Sequence, residues 1–187
     1  FVIIQRRQRH GCLLPVIGQH RIIRRQVIGV GLLNSPRDHC LEALAELGRA
    51  AVAWPPAALL EEDHLGPLPR VQLSLKISAL SSRLDPIDPD GSYRSVAARL
   101  RPLVNQALSL PAGLIFDMEQ AETKPLLLDI FKRLFAELPY RAYPYAGLAL
   151  QAYHRDTERD VADLLAWSRL RGAPITIRLV KGAYWDS

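Results

Sequence analysis

Four polar side chains of types that catalyse reactions stand near the ends of apolar segments that resemble strands. The segments, each with its polar residue, are Val71–Leu80 with Lys76, Leu114–Glu119 with Asp117, Gly147–Tyr153 with Gln151, and Pro174–Val180 with Arg178. Charges of this kind are costly to bury unless they pair with each other or with a ligand. A purely structural ion network is the alternative. The sequence favours a functional site, since charges at strand ends often line one.

Side chains alternate between the two faces of a strand, so each segment presents one apolar face and one polar face. In the first segment, Leu73, Leu75 and Ile77 oppose a face that carries Ser74, Lys76 and Ser78. The second segment places Asp117 and Glu119 on one face, and the fourth places Thr176 and Arg178 on one face. The apolar faces suit contact with a helix layer, and the other faces bring charge together.

Helical patterns separate these strands. They are Leu41–Ala53, Ser92–Leu110, a stripe from Leu126 to Leu138 capped by Thr123, and a helix whose start, Thr157 with Asp160, resembles a capping box. The order β-α-β-α-β-α-β predicts parallel strands with right-handed crossovers. A doubly wound sheet would have continuously apolar strands. The other α/β fold with this order is a (β/α)8 barrel, whose interior can carry charge. The charged face therefore favours a partial (β/α)8 TIM-type barrel of about four to five β/α units.

The charge is unevenly distributed along the chain. Residues 1–40 contain seven arginines and one acidic residue, Asp38, whereas the rest carries 17 basic and 18 acidic residues. The body of the chain is therefore not expected to bind nucleic acid, and only its first segment could. We divide the chain into an anomalous Arg-rich segment, 1–40, and a partial barrel, 41–187.

Several classes of protein are excluded by what the sequence lacks. No apolar run approaches the roughly 20 residues of a membrane span, and no signal peptide is visible. Cys12 and Cys40 form no CxxC pair, and the histidines show no metal-ligand spacing, so no metal site is predicted. Two cysteines without a secretory signal predict reduced thiols in a cytoplasmic protein.

Several stretches closely resemble consecutive segments of the proline dehydrogenase domain, as found in bifunctional bacterial proline utilisation flavoenzymes. They include "SLKISAL", "IFDMEQ", "QAY" and "ITIRLVKGAYWDS", in this order, and the resemblance runs from about Ala43 to Ser187. It implies FAD-dependent oxidation of L-proline to 1-pyrroline-5-carboxylate in the catabolism of proline to glutamate. It also implies a quinone as electron acceptor, peripheral association with the inner membrane, and an aldehyde dehydrogenase domain further along the parent protein.

The resemblance also implies roles for individual residues. Lys76 resembles the lysine near the substrate carboxylate, and Asp117 the acidic residue of the substrate and flavin pocket. A lysine–aspartate pair suits an amino acid that carries both charges. The remaining roles are flavin contacts by Gln151, Arg178, Lys181, Gly182, Ala183 and Trp185, with Arg178 near the reactive nitrogen, and a substrate-pocket role for Tyr184. Arg178 would stabilise the charge that arrives on the reduced flavin.

Two departures from the family pattern predict an incomplete barrel. The early-strand motif F-x-x-D-x-L-G-E has no counterpart in residues 1–40, and the chain ends after the fifth family strand. A complete barrel typically has ~250 residues, so we expect a fragment that is inactive and poorly soluble by itself, with open strand edges on both sides. We hypothesise that residues 1–40 translate a wrong reading frame joined near Asp38–Leu41. A natural basic extension is the alternative.

Three other functions fit parts of the sequence. A half-barrel could serve as a non-catalytic binding module or pseudoenzyme, because a fold alone does not fix function. An aldolase could use Lys76 for a Schiff base, although the strand "IRLVKGAYW" argues against it. The Arg-rich start could bind nucleic acid, with a salt-dependent affinity.

Overall fold

The predicted alternation of strands and helices is present. The computed structural model describes residues 2–4, 37–55, 61–63, 66–110 and 112–181. Its elements are β1 (Val2–Ile4), α1 (Arg37–Val52), β2 (Glu62–Asp63), β3 (Gly66–Pro67), β4 (Gln72–Lys76), α2 (Ile77–Leu80), α3 (Pro89–Ser109), β5 (Gly113–Asp117), α4 (Lys124–Ala136), β6 (Ala146–Gln151), α5 (Thr157–Arg171) and β7 (Thr176–Val180).

The main sheet contains five strands in the order β1-β7-β6-β5-β4, and all its pairings are parallel. Strands β4 to β7 are neighbours in the order of the chain, with a helix in each connection. Successive units of a (β/α)8 barrel have this arrangement. The described sheet has the open edges that were expected on both sides, at β4 and at the short strand β1, which pairs with Ile177, Arg178 and Leu179 of β7. The short antiparallel pair β2–β3 was not predicted.

One face of the sheet is buried against the helices, as the alternation predicts. Leu73, Leu75, Leu114, Phe116, Leu148 and Ile177 all belong to the apolar core. Phe116 meets Phe131 of α4 edge-on, with ring centroids 5.4 Å apart and planes at 83°. Such aromatic pairs add stability beyond the area that they bury.

Two local predictions are wrong, and a third, the N-cap at Thr123, is confirmed only in position. The first strand ends at Lys76 rather than Leu80, because Ile77 and Leu80 both enter the core at helical i,i+3 spacing. Leu138 lies beyond the end of α4 and is 86% exposed. The cap at Thr123 makes no side-chain capping bond, since its hydroxyl donates to the carbonyl oxygen of Gln120 at 3.2 Å.

The predicted capping box of α5 is also wrong, because tertiary contacts engage both of its side chains. The Thr157 hydroxyl donates to the carbonyl oxygen of Gln151 at 2.6 Å. The Asp160 carboxylate lies 2.7 Å from the ammonium group of Lys124 on α4. The start of α5 is therefore fixed to β6 and to α4 rather than to its own backbone.

Within the described ranges, no helix combines the length and the apolar character that crossing a bilayer requires.

Candidate functional site

Charged residues of β4, β5 and β7, together with Glu119 just after β5, meet on the face of the sheet opposite the helices. A guanidinium Nη2 of Arg178 donates to Oδ1 of Asp117, and the two form an ion pair. The hydroxyl of Ser74 donates to the same Oδ1 at 2.7 Å. Lys76 Nζ lies 3.8 Å from Oε1 of Glu119. The side chains of these four charged residues are 20–23% exposed, so the cluster lies at the boundary between the sheet and open space.

Lys76 and Asp117, the two charges expected to suit a zwitterionic amino acid, do not pair with each other. Lys76 and Asp117 are backbone neighbours in the β4–β5 register. Their charged groups nevertheless take different partners, Glu119 for the lysine and Arg178 for the aspartate. Asp117 pairs with Arg178 because the long arginine side chain extends from β7 across β6 to the carboxylate.

Small residues on β6 leave room for that arginine. Ala149 pairs with Arg178 and follows the Phe116–Leu148 pair, so it stands between Asp117 and Arg178 in the sheet. One layer below, a Cβ added to Gly147 would lie 2.7 Å from the carbonyl oxygen of Thr176. This close approach requires glycine, and it lets the strands pack tightly beneath the charged cluster.

Glu119 is a site residue to which sequence reasoning assigned no role. It stands two residues after β5, and alternation already placed it on the charged face with Asp117. Its Oε2 accepts from the Ser78 hydroxyl at 2.5 Å and from the Ser78 backbone N–H at 3.4 Å. Helix α2 therefore carries Ser78 to the same face that a longer strand would have reached.

Gln151, the last residue of β6, is held in a defined orientation. Its side chain is buried, and its Oε1 lies 2.6 Å from Nε2 of His154. A bond at that oxygen leaves the amide NH2 as the group that Gln151 can offer to a ligand. His154 was not predicted, and its only signal in the sequence is its place three residues after Gln151.

A partly buried ion cluster on the helix side supports this end of the sheet. Lys124 Nζ lies 2.6 Å from Oδ1 of Asp156 and 2.7 Å from Oδ2 of Asp160. Burial alone would lower the pKa of Lys124, but the two carboxylates outweigh it and raise the pKa above its usual 10.5. The hydrogen bond from Lys124 lowers the pKa of Asp156 below its usual 3.8. This cluster joins α4 to the start of α5, beside Gln151.

The remaining predicted residues lie at or beyond the end of β7. Lys181 is exposed directly after the strand. Gly182, Ala183, Tyr184 and Trp185 lie outside the described residues.

The described part of the chain contains no cluster of three or more histidine, cysteine or acidic side chains that could hold a metal ion. Cys40 is a buried free thiol whose pKa is raised by burial. Cys12 lies outside the described residues.

Comparison with known proteins decides the family. The family model described as proline dehydrogenase matches residues 25–187. The chain belongs to the proline dehydrogenase family. The match begins before Ala43, where the recognisable motifs start, and it includes part of the Arg-rich segment.

The relatives of this proline dehydrogenase chain are bifunctional proteins. It is 34% identical over 118 residues to the bifunctional protein PutA of Salmonella typhimurium, and 32% identical to that of Escherichia coli. In both cases the matched segment is 62% of this chain and 9% of the relative. The chain therefore spans about a tenth of the length of these relatives.

Solved structures agree with this relationship. Proline utilisation A from Bdellovibrio bacteriovorus, described as inactivated by N-propargylglycine, superposes with a TM-score of 0.76 and 35% identity over 80% of this chain and 16% of that one. A mutant of the Bradyrhizobium japonicum protein superposes with a TM-score of 0.68 and 27% identity, over 80% of this chain and 14% of that one. These likenesses confirm the α/β fold of a partial TIM-type barrel.

Proposed function

We propose that the described strands supply part of an active site that oxidises L-proline to 1-pyrroline-5-carboxylate in proline catabolism. This proposal rests on two ion pairs, Arg178–Asp117 and Lys76–Glu119. They lie towards the C-terminal ends of parallel strands in a member of this family. Barrel enzymes place their active sites at this end of the strands. The alternative is a half-barrel that binds a ligand without turning it over.

The charges of this cluster suit a zwitterionic substrate. Proline carries a carboxylate and an ammonium group, which need a cation and a carboxylate respectively. Lys76 can serve the first, since its 3.8 Å separation from Glu119 is too long for a tight hydrogen bond. Asp117 or Glu119 can serve the second, and we propose Tyr184 as a further substrate contact.

The described residues also fit FAD as cofactor. Nε of Arg178 is buried and lacks a hydrogen-bond partner among the described residues, and the Gln151 amide can donate as well. A flavin ring offers acceptors for both groups. We propose that Gln151, Arg178, Lys181, Gly182, Ala183 and Trp185 contact it. The chemistry that bound FAD supplies is acceptance of a hydride from the proline ring. In this proposal, Arg178 stabilises negative charge on the flavin ring.

We further propose that the electrons pass to a quinone through peripheral membrane association of an otherwise cytoplasmic protein. The curated relatives are named bifunctional, and this supports a second, aldehyde dehydrogenase domain in the parent protein.

The test uses the full-length product of the parent gene, purified and examined for flavin absorbance. We expect L-proline to bleach the flavin spectrum under anaerobic conditions and a soluble quinone to restore it. L-alanine is the control. Bound flavin that L-proline fails to bleach would instead support a non-catalytic binding module. A protein that takes up no added FAD would refute the proposal.

A chain limited to residues 1–187 is expected to lack proline:quinone activity. Its described sheet has five strands, and β4 forms an edge, whereas a closed barrel wall of this type has eight. Among the described residues, the charged cluster therefore has no opposite wall that would exclude water. Measurable turnover by this chain alone would contradict the prediction.

Lys76→Ala should mainly weaken proline binding. Removing the cation leaves the substrate carboxylate without its partner, so we expect KM to rise about tenfold, as for loss of one charged hydrogen bond, with a smaller change in kcat. Steady-state kinetics of the full-length protein measure both constants. Lys132→Ala, on α4, is the matched control and should leave KM unchanged. An unchanged KM in Lys76→Ala would exclude the assigned role.

A further inference from the structure

Ser74 is a buried polar residue on the charged face of β4, and no function has been assigned to it. It is 8% exposed, and its chain neighbours Leu73 and Leu75 belong to the apolar core on the other face. A buried hydroxyl needs a hydrogen-bond partner. The backbone partner of Ser74 on β5 is Ile115, which offers no side-chain acceptor. Its hydroxyl therefore reaches diagonally to Asp117 at 2.7 Å.

Two donors converge on one oxygen of Asp117. An ionised carboxylate only accepts hydrogen bonds, so the Ser74 hydroxyl must donate. Arg178 donates to the same Oδ1 from the β7 side. Because Ser74 donates from β4 and Arg178 donates from β7, Oδ1 is held between the two strands. The carboxylate cannot rotate without breaking one of these two hydrogen bonds, in which the acceptor is charged. Such bonds are stronger than neutral ones.

The orientation of Arg178 depends on this fixed oxygen. Its guanidinium is anchored at Nη2 by Asp117, while its buried Nε remains without a partner in the described part of the chain. Where Nε points is thus set by the bond at the other nitrogen. Ala149, 3% exposed and paired with Arg178, provides the clearance for this crossing.

We propose that Ser74 is a positioning residue, which orients Arg178 through Asp117 for proline oxidation. This inference rests on the proposed function. Ser74 does not need to touch substrate or cofactor, because its whole effect passes through the Asp117 carboxylate.

The experiment is a double-mutant cycle in the full-length protein, with Ser74→Ala, Asp117→Ala and the double variant. We expect Ser74→Ala to lower kcat for L-proline roughly 10-fold, in the range of one hydrogen bond to a charged group. We expect it to have no further effect in the Asp117→Ala background. Ser74→Thr keeps the hydroxyl on a residue that suits a strand and should restore most of the turnover.

A second measurement does not depend on turnover. The urea midpoint of the FAD-free protein should fall in Ser74→Ala but not when Asp117 is already alanine. Ser168→Ala is the matched control, since its hydroxyl bonds the carbonyl oxygen of Ala173 before β7 begins, at the opposite end of the sheet. It should leave kcat within twofold.

The outcomes separate the two proposals. If the unsubstituted protein fails to oxidise proline but the urea midpoints are coupled, the proposed function is wrong and the Ser74–Asp117 contact stands. Two results would overturn the positioning role in a protein that oxidises proline. In one, Ser74→Ala has the same kcat as the unsubstituted protein. In the other, Ser74→Ala lowers kcat by the same factor whether residue 117 is aspartate or alanine.

Discussion

Arg178→Met should lower proline oxidation by the full-length protein at least about a thousandfold, the upper range for loss of one charge-stabilising donor. Methionine keeps the apolar stem but removes the ion pair with Asp117 and the buried Nε donor. Of the hydrogen bonds to Asp117 within the described part of the chain, the one from Ser74 would then remain. In the proposed role, Arg178 is the cation that stabilises the reduced flavin, so the loss should fall on kcat as well as on kcat/KM.

Stopped-flow reduction of the flavin by L-proline measures this effect at the step concerned. Arg169→Met, an exposed arginine in the last turn of α5, is the matched control and should turn over normally. The flavin content of Arg178→Met must be measured first, so that lost chemistry is distinguished from lost cofactor. Near-normal reduction of a fully loaded Arg178→Met protein would rule out the assignment.

Lys124→Met should lower the free energy of unfolding by about 3 kcal/mol, because removing one partner of a buried ion pair leaves an uncompensated charge. Lys124 is 4% and Asp160 is 8% exposed, so water cannot replace the lost ammonium group. Urea denaturation of the full-length protein measures the change. Lys132→Met removes a charge from the same helix and should change stability by less than about 0.5 kcal/mol. Lys124→Met combined with Asp160→Asn should recover part of the loss.

The same cluster predicts how the effect depends on pH. The pKa of Lys124 is raised above 10.5, so its contribution is complete below that value and is lost as pH rises through the higher folded pKa. The pKa of Asp156 is lowered below 3.8, so its contribution is complete above 3.8 and is lost as pH falls through the lower folded pKa. The difference between the unsubstituted protein and Lys124→Met should therefore be constant at neutral pH and shrink at both extremes. A difference that does not change with pH would contradict an ionic origin.

Much of the fold could be predicted from the sequence because it depends on periodicity. Leu73 and Leu75 alternate with Ser74 and Lys76, and a strand must send such residues to opposite faces. The stripe along α4 predicted its buried side in the same way, and the alternation of the two patterns implied parallel strands. The motifs around Arg178 then indicated the family, which the family match confirms.

Only the tertiary structure decided which charges meet. The Arg178–Asp117 pair depends on the register of three strands and on the small Ala149 between them, and no local pattern encodes such a crossing. In the same way, Thr157 and Asp160 have the spacing of a capping box, yet contacts with β6 and α4 engage both side chains. Periodicity is a property of neighbouring residues and can be read along the chain. Hydrogen-bond partners are chosen by competition among groups that only folding brings together.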